Sequence, residues 1–407
     1  MAYTVNGDEW VNVRAAPSTD AEIVGAIQTG KTIEPVEIVN GWAKIALNSG
    51  DTVIQVPETL VPEYGYMLAR LLTAPTTTSP TSKKAILGVN CVDSAEAADQ
   101  AIAAGVQAVS MTFNAPYCKT LRQYHPGIVV AGRGCWYKGS VPSFTFFDEK
   151  MGDALSTNNC HVIGLNEDDN GIGSSASDIY KRLDFDTKML QHVKDVGGRN
   201  GVFLIYCGGG FSAGQPDITS QDVIKALAGY SDLLKDRNFA FNTHTYATDD
   251  HAKDITPTKI RDLIFDETNG VGQTVRYVNG RFETFDERIY RTDWTITRWR
   301  MFYRRCGWPS LDEDGNLTRI VSDETGIDVG SIGGFNAVPG CDDAYLQKFA
   351  RKWVEIQSAP FDIGNGIMEP SHMAWGAIFQ CGANPSWGGY NIQTKLSSFQ
   401  ACGWGQA

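Results

Sequence analysis

The chain has 407 residues, 42% hydrophobic and 20% charged, the balance of a globular chain with room for two or three domains. Its formal net charge of −12 argues against a nucleic-acid partner, which needs a basic face, and against an anionic membrane surface. No stretch approaches the about 18 uninterrupted apolar residues of a membrane span.

From its first residues, Met1-Ala-Tyr-Thr-Val, the chain runs straight into folded-looking sequence, so no signal peptide is expected. Residues 1–72 read as a small β module. Val11-Asn12-Val13-Arg14 alternates, Ala16-Pro17-Ser18 is a turn, and Glu22–Ile27 leads to a Thr29-Gly30 turn. Asn40-Gly41 then separates two strand-like runs, Thr32–Val39 and Trp42–Ile45, a strong hairpin signal. Tyr66-Met67-Leu68 closes the module.

This pattern resembles the bacterial SH3-like module: a strand with N-V-R, a G-P-S-type turn, an I-x-x-G turn and then N-G-W. Ala16-Pro17-Ser18 stands for the family's G-P-S, and Gly65-Tyr66-Met67 for its closing G-W-V after an insertion around Asn48 to Glu63. The resemblance implies a small all-β SH3-like barrel. It also implies the company of exported, often cell-wall-acting proteins, hence an extracellular or cell-wall location and the bacterial cell wall as a partner. A compact spacer without a ligand is the plainer alternative. With nine acids and four bases from Asp8 to Arg70, the module is no polybasic anchor.

Residues 73–84, rich in threonine, serine and proline, cannot build a core and read as a linker. From residue 85 to 407 strands and helices alternate. The strands expected are Ile86–Asn90, Ala108–Thr112, Ile128–Arg133, Val162–Asn166, Val202–Cys207, Phe239–Thr245, Arg319–Ser322 and Ala377–Cys381. Helices are expected at Ser94–Ala104, Phe185–Val196, Gln221–Leu234 and Asp342–Gln357. Eight such units in 323 residues point to a (β/α)8 TIM barrel with insertions near 270–310 and 324–341. A doubly wound sheet is the rival, but no G-x-G-x-x-G turn follows the first strand.

Nine cysteines are scattered, and none forms a C-x-x-C pair, so no structural zinc is expected. Their odd number leaves at least one thiol free, and one or two disulfides stay open. Asp168, Asp169, Asn170 and Asp178 lack the spacing of a calcium loop. No metal and no cofactor is expected.

In a barrel of this kind the site lies at the C-terminal ends of the strands. Those ends offer Asn90, Arg133 with Trp136, Asn166-Glu167, Tyr206, Asn242 with His244 and Tyr246, Asp323-Glu324, and Trp387 beyond strand eight. Two carboxylates among aromatics suit glycoside hydrolysis, one acid protonating the leaving oxygen and the other attacking the anomeric centre.

Here the order of motifs resembles the clan A glycoside hydrolases, which are retaining (β/α)8 enzymes. Asn166-Glu167 in V-I-G-L-N-E-D matches the clan's Asn-Glu after strand four, implying Glu167 as acid/base. Glu324 in R-I-V-S-D-E-T-G matches the nucleophile after strand seven. His244-Thr-Tyr246 matches the strand-six His-x-Tyr, whose tyrosine orients the nucleophile, and Trp387, or alternatively Trp375, the strand-eight tryptophan. The clan's arginine often follows strand two, whereas Arg133 falls after strand three, beside Trp136. The resemblance implies a polysaccharide or oligosaccharide substrate.

Plainer roles stand beside these. Glu167 and Glu324 could be loop or helix-start acids, with Asp323 and Glu369 as substitute nucleophiles; His244 and Trp387 could be core. A peptidoglycan-degrading lysin, or a glycan-binding protein without turnover, are the competing functions.

Overall fold

Alternation with a period of two folds the N-terminal module into antiparallel sheet. This computed structural model describes residues 3–5, 10–39, 42–47, 54–55, 63–68, 72–73, 84–134, 141–165, 175–212, 216, 218, 220–248, 276–278, 281–283, 299–328, 334–336, 342–362, 368–382 and 385–396. The chain divides into two compact units: Met1–Thr81 with Asp362–Glu369, and Ser82–Phe361 with Pro370–Ala407.

In the first unit, Trp10–Arg14, Ile23–Gln28, Glu37–Val39, Trp42–Ala46, Ile54–Gln55 and Tyr64–Leu68 form one sheet. Val39 pairs with Trp42 across the Asn40-Gly41 position, as the hairpin signal requires. Inward residues of the alternation, Val11, Val13, Val24, Ile27, Ala43, Ile45 and Met67, make the core. Gly65 is needed in the closing strand, because a Cβ there would lie 2.3 Å from Val13 Cγ1.

The second unit is an eight-stranded parallel barrel. Its strands are Ile86–Val92, Ala108–Thr112, Val129–Arg133, Cys160–Ile163, Leu204–Phe211, Phe239–Thr243 continued by Thr245–Thr248, Ile320–Asp328 and Met373–Cys381. Neighbours pair in sequence order, and strand eight pairs with strand one from Ile86↔Trp375 onward, which closes the ring. Ala108, Ala131, Ile163, Ile205, Cys207, Ala240, Val321, Trp375 and Ala377 fill its interior as an apolar plug. Closing the sheet removes every edge and leaves one ordered set of strand ends to build on.

Serines start the helices. Ser94, Ser143, Ser175 and Ser220 each accept a backbone N–H in the first turn of Ala95–Ala103, Phe144–Met151, Ala176–Asn200 and Gln221–Ala228. The third of these begins nine residues before the expected Phe185, since its first turns are mostly polar and show little apolar period. Gln221–Leu234 is two helices, Gln221–Ala228 and Ser231–Lys235, divided at Gly229-Tyr230. Cys91, Cys118, Cys160, Cys207, Cys306 and Cys381 are buried free thiols, so among the described residues no disulfide forms and cysteine packs as a small core residue. No described helix is long and apolar enough to cross a membrane.

Candidate active site

Strand seven carries two consecutive acids. On a regular strand, neighbouring side chains point to opposite faces, so Asp323 and Glu324 should part. The pairing of strand seven with strand eight shifts register between Ser322 and Thr325, and the irregularity turns both acids to one side. Arg133, at the end of strand three, meets them there: its Nη1 donates to Asp323 Oδ2 at 3.1 Å and also to Glu324 Oε1. The strand-three position of this arginine is thus compatible with reaching the strand-seven acids.

Strand six supplies the other partners. It breaks at His244, whose amide turns to Phe211 O at 3.0 Å. Its ring then lies between the acids, Nε2 3.3 Å from Asp323 Oδ1 and Nδ1 3.4 Å from Glu324 Oε2. Two residues on, the Tyr246 hydroxyl donates to Glu324 Oε2 at 3.0 Å. Two residues earlier, Asn242 Nδ2 donates to Asp323 Oδ1 at 2.7 Å, and its Oδ1 accepts the Asp323 amide at 3.2 Å. Burial alone would raise the Asp323 carboxyl, but the Arg133 charge with the His244 and Asn242 contacts outweighs it and holds the group at about 2.

A layer of hydroxyls supports the turn of strand seven. Ser322 Oγ donates to the Glu324 carbonyl at 2.8 Å and meets Thr245 Oγ1 at 2.8 Å. Thr325 Oγ1 accepts the Trp353 indole N–H at 3.0 Å. Trp353 packs so close to strand eight that a Cβ on Gly376 would lie 2.4 Å from its ring. Fixed neighbours of this kind set the carboxylates' rotamers.

The predicted site residues fall into three groups. Arg133, His244, Tyr246 and Glu324 come together. Asn90, expected to face substrate, is fully buried instead: its Nδ2 donates to the Asp323 carbonyl at 3.0 Å and its Oδ1 accepts from Thr112 Oγ1 at 2.8 Å, so it braces strand seven. Trp136, Asn166, Glu167, Asp168 and Asp169 lie outside the described residues, as does the Trp387 side chain, although its backbone belongs to the short helix Pro385–Tyr390.

Three other expectations change. Tyr206 faces outward, donating to Asp186 Oδ1 at 2.6 Å, because the inward positions of strand five are Ile205 and Cys207. Trp375 lies in the apolar plug and donates to His161 Nδ1 at 3.1 Å, away from the strand ends. Glu369 sits on a separate two-residue strand, Met368–Glu369. Asp323, weighed only as a substitute for Glu324, is its buried companion. Sequence reading also missed an apolar wall: Phe379 packs with Val92 and Tyr246, and Tyr390 stands 5.7 Å from it. The signal was there, since Phe379 is two residues on from plug residue Ala377 and shares its face.

His244, Asp323 and Glu324 each offer an atom within 4.8 Å of the others, a spacing that could also suit a cation. The Arg133 guanidinium bonds both carboxylates and so places one positive charge in that spacing.

Comparison with known proteins bears mainly on the first unit. Residues 10–73 match the bacterial SH3 domain family, and the N-terminal module is a bacterial SH3 domain. No curated protein matches the chain. Among solved structures, a family 39 glycoside hydrolase from the gut symbiont Bacteroides cellulosilyticus is 12% identical with a TM-score of 0.41, covering 98% of this chain and 79% of its own. A beta-glucanase from Saccharophagus degradans is 10% identical with a TM-score of 0.34, covering 78% of this chain and 87% of its own.

Proposed function

We propose that the barrel is a retaining glycoside hydrolase that cleaves β-linked glycans by double displacement, with Glu324 as nucleophile and Glu167 as acid/base. The observation that carries this is the setting of Glu324: a buried carboxylate at the mouth of the barrel, with Arg133 on one oxygen and Tyr246 and His244 at the other. Charge-assisted donors hold a carboxylate in one orientation, which a nucleophile aimed at an anomeric carbon needs.

In the first step a Glu324 oxygen bonds to the anomeric carbon while the Glu167 acid protonates the departing glycosidic oxygen. In the second, Glu167 takes a proton from water, the hydroxyl bonds to the same carbon, and Glu324 leaves as carboxylate. Arg133 and Tyr246 meet the returning charge. The assignment of Glu167 comes from the Asn166-Glu167 pair that follows strand four, and retention requires the two carboxylates to lie about 5–5.5 Å apart. Phe379 and Tyr390 offer an apolar wall on which a sugar ring can lie.

The bacterial SH3 domain favours a narrower version, a peptidoglycan-degrading lysin acting outside the cell or at the wall. Reducing-end assays on a panel of β-glucans, beside turbidity loss of bacterial cell walls, separate the two. Glu324→Ala and Glu167→Ala should each abolish release, and the wild-type product should keep the β configuration by proton NMR. Wild-type rates in both variants would sink the assignment. An oligosaccharide that binds and stays intact through a long incubation would point to a binding protein without turnover.

A further inference from the structure

Each ring nitrogen of His244 faces a carboxylate, at 3.3 Å on the Asp323 side and 3.4 Å on the Glu324 side. A neutral imidazole has one N–H, so it can donate to one acid while turning a lone pair on the other. The imidazolium alone presents a positive N–H toward both, as an ion-pair contact rather than an aligned hydrogen bond on the Nε2 side. Charge balance points the same way. Arg133, Asp323 and Glu324 are all buried, and one guanidinium against two carboxylates leaves an excess negative charge away from water. A second cation between the acids brings the cluster to neutrality.

We propose that Asp323 keeps His244 doubly protonated, and that the resulting imidazolium holds the Glu324 carboxylate in one rotamer. Asp323 is then a positioning residue that acts through His244. The kinetic part of this rests on Glu324 being the nucleophile; the protonation state does not.

The groups around the ring fit the assignment. Arg133 reaches the acids from strand three, and Tyr246 approaches from the same strand as His244, ring centroids 6.1 Å apart, with its hydroxyl on Glu324. Cys207, on strand five, lies in the plug beneath, and burial pushes its thiol well up, so it adds no charge. Asp323, held low chiefly by Arg133 against the opposing effect of burial, is ionised near neutral pH. Of the charged partners nearest the ring, it is therefore a fixed charge.

Nitrogen-15 labelling of histidine tests this without substrate. Spectra of the whole protein between about pH 5 and about pH 9 bracket the ordinary imidazole range, and His244→Gln assigns the signals. Both His244 nitrogens should carry protons at about pH 7 in the wild type. In Asp323→Asn the ring should lose its second proton at lower pH. The alkaline limb of kcat on an aryl glycoside should move down by the same amount, while KM changes little.

A neutral single tautomer at about pH 7 in the wild type, or an Asn variant that titrates like the wild type, overturns the proposal. If Asp323→Asn does not fold, the wild-type spectrum still decides. A protonated His244 in a protein without glycosidase activity would overturn the catalytic reading and leave the protonation intact.

Discussion

Two histidines occupy the interior of one barrel under opposite electrostatic conditions. His161, on strand four, lies against the apolar plug. Its Nδ1 accepts from the Trp375 indole at 3.1 Å, and the two rings meet edge-on at 5.5 Å. Burial, with smaller contributions from the Arg319 and Arg122 charges, pushes it down to about 3, so it stays neutral. His244, on strand six, stands between two carboxylates.

A single two-residue step along the strands separates these environments. Ala131 leads to Arg133, Ala240 to Asn242 and Val321 to Asp323. Successive inward positions on a strand stack in layers. One layer is therefore an apolar plug that holds the barrel, and the next is a charged centre that the plug supports from beneath. The contrast teaches that a residue's role in this barrel is set by its layer more than by its type.

The sharpest break in this comparison comes from the charged layer. Glu324→Gln should lower kcat by about 10⁴-fold or more, measured as initial rates on an aryl glycoside; an active variant would mean the mouth is not the chemical layer. Next come paired substitutions, one per layer, read by urea unfolding. Trp375→Ala should cost about 3–5 kcal/mol by opening a cavity in the plug. Arg133→Met should cost a similar about 3–5 kcal/mol by taking the guanidinium away from two buried acids. Acidity distinguishes them: only the second loss should shrink as pH falls toward the range where Asp323 takes up a proton.

The pH dependence sharpens the contrast further. His161 binds its proton at about 3 when folded, against about 6.5 for a free imidazole, so between these limits the unfolded chain takes up a proton that the folded one refuses. Stability must therefore fall as pH drops through that window, by up to about 1.4 kcal/mol per pH unit. His161→Gln should flatten that slope in urea titrations at successive pH values. The smallest effect is Tyr246→Phe, which removes one hydrogen bond to Glu324 at a cost of about 1.5–3 kcal/mol in transition-state stabilisation, read from kcat/KM.

Much of the architecture was legible in the chain. Apolar runs separated by capped helices placed all eight strands, because a strand buried on both faces reads as a continuous apolar segment. Arg133, His244, Tyr246 and Glu324 were legible because strand order says which ends share a mouth. What was not legible depends on register. Strict alternation would have separated Asp323 from Glu324, and only the irregular pairing beside Thr325 unites them. The same kind of detail assigned Asn90 to backbone support and turned Tyr206 toward Asp186, one position out of phase with the interior. Phe379 was legible in principle, since it shares the inward face of the plug residue Ala377 two positions before it.

The brace from Asn90 to the Asp323 carbonyl joins residues 233 apart in sequence, and the Arg133–Glu324 pair spans 191. Such contacts form only after the loop between them has closed, and closure over long separations is slow. No segment of nascent chain short of residues 90–324 can carry the whole centre, for its pieces lie on strands one, three, six and seven. Recovery of activity in a refolding experiment therefore reports completion of the ring, trailing the return of helical ellipticity.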